Sequence, residues 1–269
     1  MIVDQKVAIV TGGGGGIGAA LAAALVDKGA RVVVADISTY KVADVAARLN
    51  STVADSAVAL GVDVSETAGI EQIIATAESA FGPVDLYFAN AGVGGGVGLA
   101  ASEDEWDVAL QVNVMAHVRA AKLLVPGWIE RGSGYFISTA SAAGLLTQIG
   151  SATYSVSKHA AVSFAEWLSL TYGDEGVRVS CLCPMGVNTD MLNGGSESDD
   201  AVQRRAAQAV TDAGGVLEPS DVADIVLQAV AEEQFLILPH REVLTFLQRK
   251  TGDYDRWLSG MRRYQRSLA

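Results

Sequence analysis

Short runs of β-branched and aliphatic residues alternate along the chain with longer stretches that are rich in alanine and leucine. The apolar runs are continuous instead of alternating with polar residues, which predicts strands that are buried on both faces. Strands that alternate with helices form right-handed βαβ units, so their strands lie parallel in one sheet. The predicted strands cover residues 7–10, 31–35, 57–62, 84–89, 134–138, 177–183 and 235–238. The predicted helices cover residues 17–27, 40–49, 67–81, 103–131, 152–172 and 219–232.

The regular alternation weakens between residues 190 and 216, where the segment 193–200 is polar and contains glycine. A segment of this length without secondary structure is uncommon in a compact domain unless it is a lid or disordered. We therefore predict one catalytic domain over residues 1–240, with a substrate lid over residues 190–216.

Residues 241–269 differ from the rest of the chain, because they carry seven basic and only three acidic residues. Their apolar side chains recur at helical spacing and form one stripe. We expect a helical extension of the same domain, packed on the acidic body or on a neighbouring subunit. A helix that lies on a membrane surface or on another partner is the less favoured alternative. The stripe residues are Tyr254, Trp257, Leu258, Met261, Tyr264 and Leu268.

The whole chain of 269 residues is acidic, with a formal net charge of −12 at pH 7. This charge disfavours nucleic acid and anionic lipid as partners, since both carry negative charge. Cys181 and Cys183 stand two apart on a predicted strand and are expected to be buried thiols instead of a disulfide framework. The uncharged stretch 7–26 contains six glycines, which disfavours a membrane-spanning helix. We expect a cytoplasmic protein with no nucleic-acid, membrane or metal partner.

The segment TGGGGGIG at residues 11–18 lies between the first predicted strand and the first predicted helix. Glycines allow the backbone to approach a pyrophosphate closely, and a helix N-terminus supplies N–H groups and partial positive charge. A flexible linker is the alternative for a run of glycines, but a linker is not expected between a buried strand and a helix. The segment therefore predicts a dinucleotide site.

Asp36 closes the second predicted strand, 18 residues after Gly18. A carboxylate near this distance binds the adenosine ribose hydroxyls and repels a 2′-phosphate. No Lys or Arg occurs at residues 13–15 and Ile37 follows Asp36, so we expect no cation that would neutralise a 2′-phosphate. The cofactor prediction is NAD(H) in preference to NADP(H); the alternative is that Asp36 only caps a turn.

Tyr154 and Lys158 stand at positions i and i+4 of a predicted helix and share one face of it. A phenol with an ordinary pKa of about 10 is a poor base at neutral pH. A neighbouring ammonium favours the phenolate and brings the pKa into the useful range. The pair predicts a general acid/base, although such pairs also occur on solvated helix faces.

With these motifs in this order, the chain resembles the short-chain dehydrogenase/reductase family. The matching features, which extend from about Lys6 to Thr189, are the glycine motif of residues 11–18, Asp63, the Asn90–Gly92 segment, Asn113, Ser141, the Tyr154/Lys158 pair and the Pro184, Val187 and Thr189 positions. The resemblance implies a doubly wound Rossmann fold: a seven-stranded parallel sheet with helices on both faces. It also implies a homotetramer or homodimer.

The resemblance further implies roles for individual residues. Tyr154 would be the general acid/base, and Lys158 would bind the nicotinamide ribose and lower the pKa of Tyr154. Ser141 would hydrogen-bond the reacting oxygen, and Asn113 would hold a water that relays protons through Lys158. The residues implied to contact the cofactor are Gly12, Gly16, Ile17, Gly18, Asp36, Asp63, Val64, Asn90, Ala91, Gly92, Tyr154, Lys158, Pro184, Val187 and Thr189.

Several of these residues also have structural interpretations. Ser141 can stabilise a turn, and Asn113 can be a polar surface residue of a helix. His117 and His159 are not expected to be catalytic. Met185 stands where the family commonly has glycine, so the nicotinamide-side loop is expected to differ in shape.

The sequence as a whole predicts an NAD-dependent oxidoreductase that interconverts a secondary alcohol and a ketone. The substrate pocket is expected between residues 94–99, 145–153 and 190–216. An apolar or alicyclic substrate is favoured by an apolar lining expected from Leu145, Leu146, Ile149, Met185, Met191 and Leu192. One alternative is a 3-oxoacyl-thioester ketoreductase, which the acidic surface disfavours for an acidic carrier protein. The other is a non-catalytic dinucleotide sensor, which the intact Asn113, Ser141, Tyr154 and Lys158 set disfavours.

Overall fold

The computed structural model describes residues 1–268 and has one sheet of seven parallel strands at its centre. The strand order is β3-β2-β1-β4-β5-β6-β7, so the chain starts near the middle, builds one half and then returns to build the other. The reversal lies between β1 and β4, where doubly wound sheets bind their ligands. The strands are β1 Val7–Thr11, β2 Arg31–Asp36, β3 Ala57–Gly61, β4 Leu86–Ala89, β5 Gly134–Thr139, β6 Val177–Leu182 and β7 Leu236–Ile237. The predicted fold is confirmed, with strand ends that differ by one or two residues.

Helices cover both faces of the sheet. One hydrophobic core forms where α1, α2 and α10 pack on one face, and the other forms where α3, α5 and α7 pack on the opposite face. The helices are α1 Gly16–Asp27, α2 Thr39–Thr52, α3 Thr67–Phe81, α4 Glu103–Leu110, α5 Ala116–Arg131, α6 Ala143–Leu146, α7 Ala152–Tyr172, α8 Asp190–Ser196, α9 Ala201–Ala213, α10 Pro219–Ala231, α11 Glu242–Gly252 and α12 Tyr254–Ser267.

The long helix predicted over residues 103–131 is interrupted by a π-helical turn at Gln111–Met115, which separates α4 from α5. It begins with a capping box, in which the Ser102 hydroxyl accepts from the Glu105 N–H and the Glu105 carboxylate accepts from the Ser102 N–H. It ends at Gly132, which has φ +64°. By length and composition this helix could span a membrane, and 44% of its most apolar window is buried inside the protein.

The prediction that residues 190–216 lack secondary structure is wrong, because α8 and α9 occupy most of this segment. α9 begins at an N-cap in which the Asp200 carboxylate accepts from the Val202 N–H at 2.7 Å and the Gln203 N–H at 3.4 Å. Its buried face consists of Ala206, Ala207 and Ala209. The apolar positions of α9 recur at helical spacing, but the polar, glycine-containing segment 193–200 before it led to the prediction of one continuous loop.

The tail packs on its own domain as two helices, α11 and α12. The buried Lys250 ammonium donates to the Leu145 carbonyl at 2.7 Å, which attaches α11 to the end of α6. The Tyr264 hydroxyl donates to the Ala209 carbonyl at 3.1 Å, which attaches α12 to α9. The tail therefore contacts the segment that was predicted to be a lid.

Candidate active site

A cavity of about 1110 Å³ opens at the carboxyl ends of the central strands, where the strand order reverses. Its walls come from the β1–α1 turn, the loops after β4, β5 and β6, helices α7, α8 and α9, and the tail. Pockets for drug-sized ligands measure about 300–1,000 Å³. This cavity is therefore large enough for a dinucleotide together with a second small molecule.

The β1–α1 turn forms one end of the cavity. Gly12 has φ +63°, a left-handed conformation that glycine adopts without strain. A Cβ atom at Gly18 would collide with the carbonyl oxygen of Gly12, so the turn requires glycine at this position. α1 begins at Gly16, and its first N–H groups have no acceptor within the helix. The turn is thus a cradle of free N–H groups at the positive end of a helix dipole, which fits a pyrophosphate.

Thr11 and Asn90 hold this turn against the end of β4. The Thr11 hydroxyl donates to the Phe88 carbonyl at 3.0 Å and accepts from the Asn90 and Ala91 N–H groups at 3.0 and 3.1 Å. The Asn90 side-chain amide donates to the Thr11 carbonyl at 3.0 Å. These contacts bring Asn90, Ala91 and Gly92 to the cavity wall beside the glycines, as their place at a strand end predicts.

Asp36 ends β2 beside the same turn. Its carboxylate accepts from the Gly14 N–H at 3.1 Å and from the Ser38 N–H at 3.0 Å. The Lys41 side chain and the Asp36 carboxyl lie on the same side of Gly14. The Lys41 ammonium forms an ion pair with the Asp190 carboxylate at 3.0 Å. The expectation that no cation lies near Asp36 is therefore wrong, because the first turn of α2 brings Lys41 back towards the glycines.

Tyr154 and Lys158 lie one turn apart on α7, and both line the cavity. The Lys158 ammonium lies 5.6 Å from the centre of the Tyr154 ring and donates to the Thr139 carbonyl at 2.8 Å. Ser141, in the loop after β5, lines the same cavity, and its hydroxyl accepts from the Ala143 N–H at 3.1 Å. The structure therefore brings the tyrosine, lysine and serine together. Ser141 also stabilises its turn, as the alternative interpretation expected.

Burial is the main influence on the protonation of this group. It raises the pKa of Tyr154, and interaction with the Ser141 hydroxyl opposes that rise. Burial also lowers the pKa of Lys158 to about 8. The expectation that Lys158 lowers the pKa of the phenol is not confirmed for the protein alone, because desolvation is the larger effect there. Lys158 nevertheless remains mostly protonated at neutral pH.

The buried Lys158 predicts a pH dependence of stability. The pKa of Lys158 is lower in the folded chain than in the unfolded chain, so the unfolded chain binds more protons between about pH 8 and 10.5. The contribution of Lys158 to stability therefore increases as the pH rises through that range. In Lys158→Met this contribution is absent. We expect the free energy of unfolding of the native protein, relative to that of the variant, to rise by about 2 kcal/mol between pH 7.5 and 9.5. Urea denaturation at several pH values measures it, and a constant difference would contradict the assignment.

Asn113 lies in the π-helical turn between α4 and α5, and such turns often occur at functional sites. It is fully buried behind the cavity wall, so it is not a surface residue. Its amide accepts from the Val93 N–H at 2.9 Å and donates to the Val93 carbonyl and the Ser157 hydroxyl, both at 3.0 Å. The Asn113 oxygen and the Lys158 ammonium both approach Gly92.

His117 and the two cysteines lie behind the cavity. The His117 Nδ1 lies 3.1 Å from the Ser138 hydroxyl, and burial together with the charge of Lys158 lowers the pKa of His117 to about 3. The imidazole is therefore neutral and does not line the cavity, in agreement with a non-catalytic residue. Cys181 and Cys183 are buried free thiols with sulfur atoms 3.8 Å apart. Within residues 1–268, no cluster of His, Cys, Asp and Glu side chains is arranged to hold a metal ion.

The loop after β6 passes over the cavity, and Pro184, Val187 and Thr189 all line it. The N–H of Met185, the residue that departs from the family pattern, donates to the His240 Nδ1 at 3.1 Å. By contrast, Asp63 and Val64 lie outside the cavity walls, and the Asp63 carboxylate accepts from the Ser65 N–H at 2.8 Å. Their role in adenine binding stays a prediction.

Sequence reasoning missed the contribution of the tail to the cavity. Side chains from α11 and α12 close the cavity beside α9. The apolar stripe pointed to packing, but the glycine and tyrosine motifs gave no indication that this packing would cover the site. The tail residues that line the cavity are Phe246, Arg249, Trp257, Met261 and Tyr264.

Comparison with known proteins agrees with this architecture. A family model described as short chain dehydrogenase matches residues 6–200. The chain is 33% identical to 1-deoxy-11-beta-hydroxypentalenate dehydrogenase from Streptomyces avermitilis, over 96% of this chain and 93% of the relative. It is 32% identical to meso-2,3-butanediol dehydrogenase from Serratia marcescens, over 88% of this chain and 92% of the relative.

A solved structure also agrees with this architecture. A short-chain dehydrogenase/reductase from Burkholderia phymatum, solved in complex with NAD, superposes with a TM-score of 0.86 and 31% identity, over 95% of this chain and 96% of the other. The chain therefore belongs to the short-chain dehydrogenase/reductase family, and it is an oxidoreductase that acts on alcohol and ketone groups.

Proposed function

We propose that this oxidoreductase uses NAD(H) and interconverts a secondary alcohol and a ketone on an apolar or alicyclic substrate. The observation that carries the proposal is the convergence of Tyr154, Ser141 and Lys158 on a cavity whose other end holds the glycine turn and Asp36. An acid/base group and a dinucleotide cradle in one cavity are the two parts that such a reaction needs.

The cofactor proposal rests on Asp36. Its carboxylate lies beside the glycine turn, where the ribose of a bound dinucleotide would meet it and a 2′-phosphate would be repelled. Lys41 lies nearby, but its ammonium pairs with Asp190, which weakens its attraction for a phosphate. Gly12, Gly16, Ile17, Gly18, Asn90, Ala91, Gly92, Pro184, Val187 and Thr189 would complete the binding surface, with Asp63 and Val64 near the adenine.

When bound, the nicotinamide supplies hydride chemistry. Tyr154 would then accept the hydroxyl proton of an alcohol, or donate a proton to a ketone oxygen. Ser141 would hold that oxygen through its hydroxyl, and Lys158 would bind the nicotinamide ribose with its ammonium. Because burial raises the pKa of Tyr154, the phenolate needs a cation, and Lys158 is the charged side chain beside it. Asn113 would hold the relay water with the remaining lone pair of its oxygen.

The substrate proposal rests on the walls beyond Tyr154. The large apolar side chains that line the cavity include Leu146, Ile149, Met191, Phe246, Trp257 and Met261. Burial of apolar surface stabilises a bound substrate by roughly 25 cal/mol per Å², whereas a small polyol would leave hydroxyls without partners. The relative from Streptomyces avermitilis, which is named for a hydroxypentalenate, is similar over nearly the whole chain. Its name supports the proposal of an apolar or alicyclic substrate.

Formation of NADH, followed by its absorbance, tests the proposal with a panel of alicyclic alcohols and a panel of small polyols. We expect alicyclic alcohols to react with the higher kcat/KM. Better turnover of small polyols would contradict the substrate class. Tight NADH binding without turnover of any alcohol would instead favour a dinucleotide sensor.

We further propose that residues 1–240 form one catalytic domain, that the tail is part of it, and that α8 and α9 act as the lid. A cytoplasmic homotetramer or homodimer remains our prediction for the assembled protein, as does the absence of nucleic-acid and membrane partners.

A further inference from the structure

Arg249 occupies a defined position in the wall of the substrate end of the cavity. It lies on α11, one turn after Phe246, and both side chains line the cavity. The next residue, Lys250, is 7% exposed and donates to the Leu145 carbonyl at 2.7 Å. This contact attaches α11 to the segment that follows Ser141, so the position of Arg249 relative to the reacting end of the cavity is set by the fold.

Arg249 is an exposed residue of the cavity wall, and apolar residues line the same cavity. Leu146 and Ile149 line the wall on the side of Ser141, and Val210, Trp257 and Met261 line it on the side of the lid and tail. The Asp212 carboxylate also lines this cavity. A ligand carboxylate here would meet a guanidinium that no group among residues 1–268 binds.

All the other charged side chains that line the cavity, except Asp212, are accounted for by their contacts. Lys41 and Asp190 form an ion pair, Lys158 donates to Thr139, and Asp36 accepts two backbone N–H groups. Asp212 lies near Tyr264, whose pKa is raised by burial and by the charge of Asp212. Among residues 1–268, the Arg249 guanidinium has no hydrogen-bond or ion-pair partner.

We propose that Arg249 binds a carboxylate of the substrate, which makes the substrate an alicyclic alcohol that also carries an acid group; this rests on the proposed function. The planar guanidinium fits a carboxylate with two parallel hydrogen bonds, which a lysine cannot reproduce. The chain has a net charge of −12, which repels an anionic substrate in general, so a local cation is needed to hold one. The apolar walls take the ring system, and Arg249 orients it with the hydroxyl towards Tyr154.

The test uses the matched pair of a 3-hydroxy bile acid and its methyl ester, together with hydroxycyclohexanecarboxylate and its methyl ester. For each compound, kcat/KM is measured with NAD⁺ as the cofactor. Calorimetry measures the Kd of the same compound for the complex of the protein with NADH. A hydrogen bond to a charged group predicts about a 10- to 100-fold preference for the acid in the native protein. We expect Arg249→Gln to remove that preference by lowering kcat/KM for the acid far more than for the ester, and Arg249→Lys to restore it only in part.

Arg256→Gln is the matched control, because Arg256 lies on the same tail, is exposed and does not line the cavity. It should keep the preference for the acid. Equal Kd values for acid and ester in the native protein would overturn the proposal, and oxidation of the esters would then show that the proposed function stands without it. Equal loss of preference in Arg249→Gln and Arg256→Gln would also overturn it, since general charge would be the cause.

Asp212→Asn distinguishes a structural ion pair from a substrate site. If Arg249 binds the substrate, removal of the carboxylate at Asp212 leaves the acid preference intact or increases it. If Arg249 instead serves to pair with Asp212 when the lid closes, Asp212→Asn and Arg249→Gln lower turnover of the ester to a similar extent. That second result contradicts the proposal.

Discussion

Replacing Tyr154 with phenylalanine is expected to lower kcat about 10²- to 10⁴-fold, the usual contribution of a general acid/base. The substitution removes only the hydroxyl, so the ring still packs on α7 and still faces Lys158. NADH affinity should remain close to native, because the glycine turn and Asp36 are unchanged. Stopped-flow turnover and NADH titration measure the two quantities separately.

Tyr172→Phe is the matched control, since Tyr172 lies at the end of the same helix and does not line the cavity. It should retain native turnover. If Tyr154→Phe retained turnover as well, another group would be the acid/base and the proposed mechanism would be wrong. If NADH affinity fell with kcat, the hydroxyl would serve cofactor binding rather than proton transfer.

The second large effect concerns the choice of cofactor. Asp36→Asn removes the charge that repels a 2′-phosphate and weakens the hydrogen bonds that the carboxylate would make to ribose hydroxyls. Both changes favour NADP⁺ over NAD⁺, and we expect the ratio of their Kd values to shift by about 10²-fold. Titration of the native protein and the variant with each cofactor measures the shift.

Two further variants separate local from general effects. Asp44→Asn changes the net charge of the protein by the same amount as Asp36→Asn, but on the exposed side of α2, where Asp44 pairs with Arg48. It should leave the ratio of the Kd values for NADP⁺ and NAD⁺ unchanged. Lys41→Ala added to Asp36→Asn should reduce the gain for NADP⁺, because Lys41 is the cation beside Gly14. Tight NADP⁺ binding by the native protein would end the proposal of NAD preference.

Local patterns in the sequence were sufficient to predict the sheet and most of its helices. The continuous apolar runs identify buried strands, and their alternation with helices leaves few topologies open. The glycine turn was also predictable, because the collision that a Cβ at Gly18 would cause depends on residues only a few positions apart.

The prediction failed at two helical segments. α9 has an amphipathic pattern at helical period, but it follows the polar, glycine-containing segment 193–200 and was assigned to the same loop. The π-helical turn that carries Asn113 looks like ordinary helix in the sequence, and in the structure this turn contacts α7.

The sequence by itself determined the order of the elements, the glycine cradle and the one-turn spacing of Tyr154 and Lys158, since each depends on neighbours along the chain. Only the tertiary structure decided that Lys41 lies beside Asp36 and pairs with Asp190, and that Arg249 enters the cavity from the tail. It also decided that burial raises the pKa of Tyr154. The physical reason is that contact and desolvation between segments distant in the chain depend on how those segments pack, which no local pattern encodes.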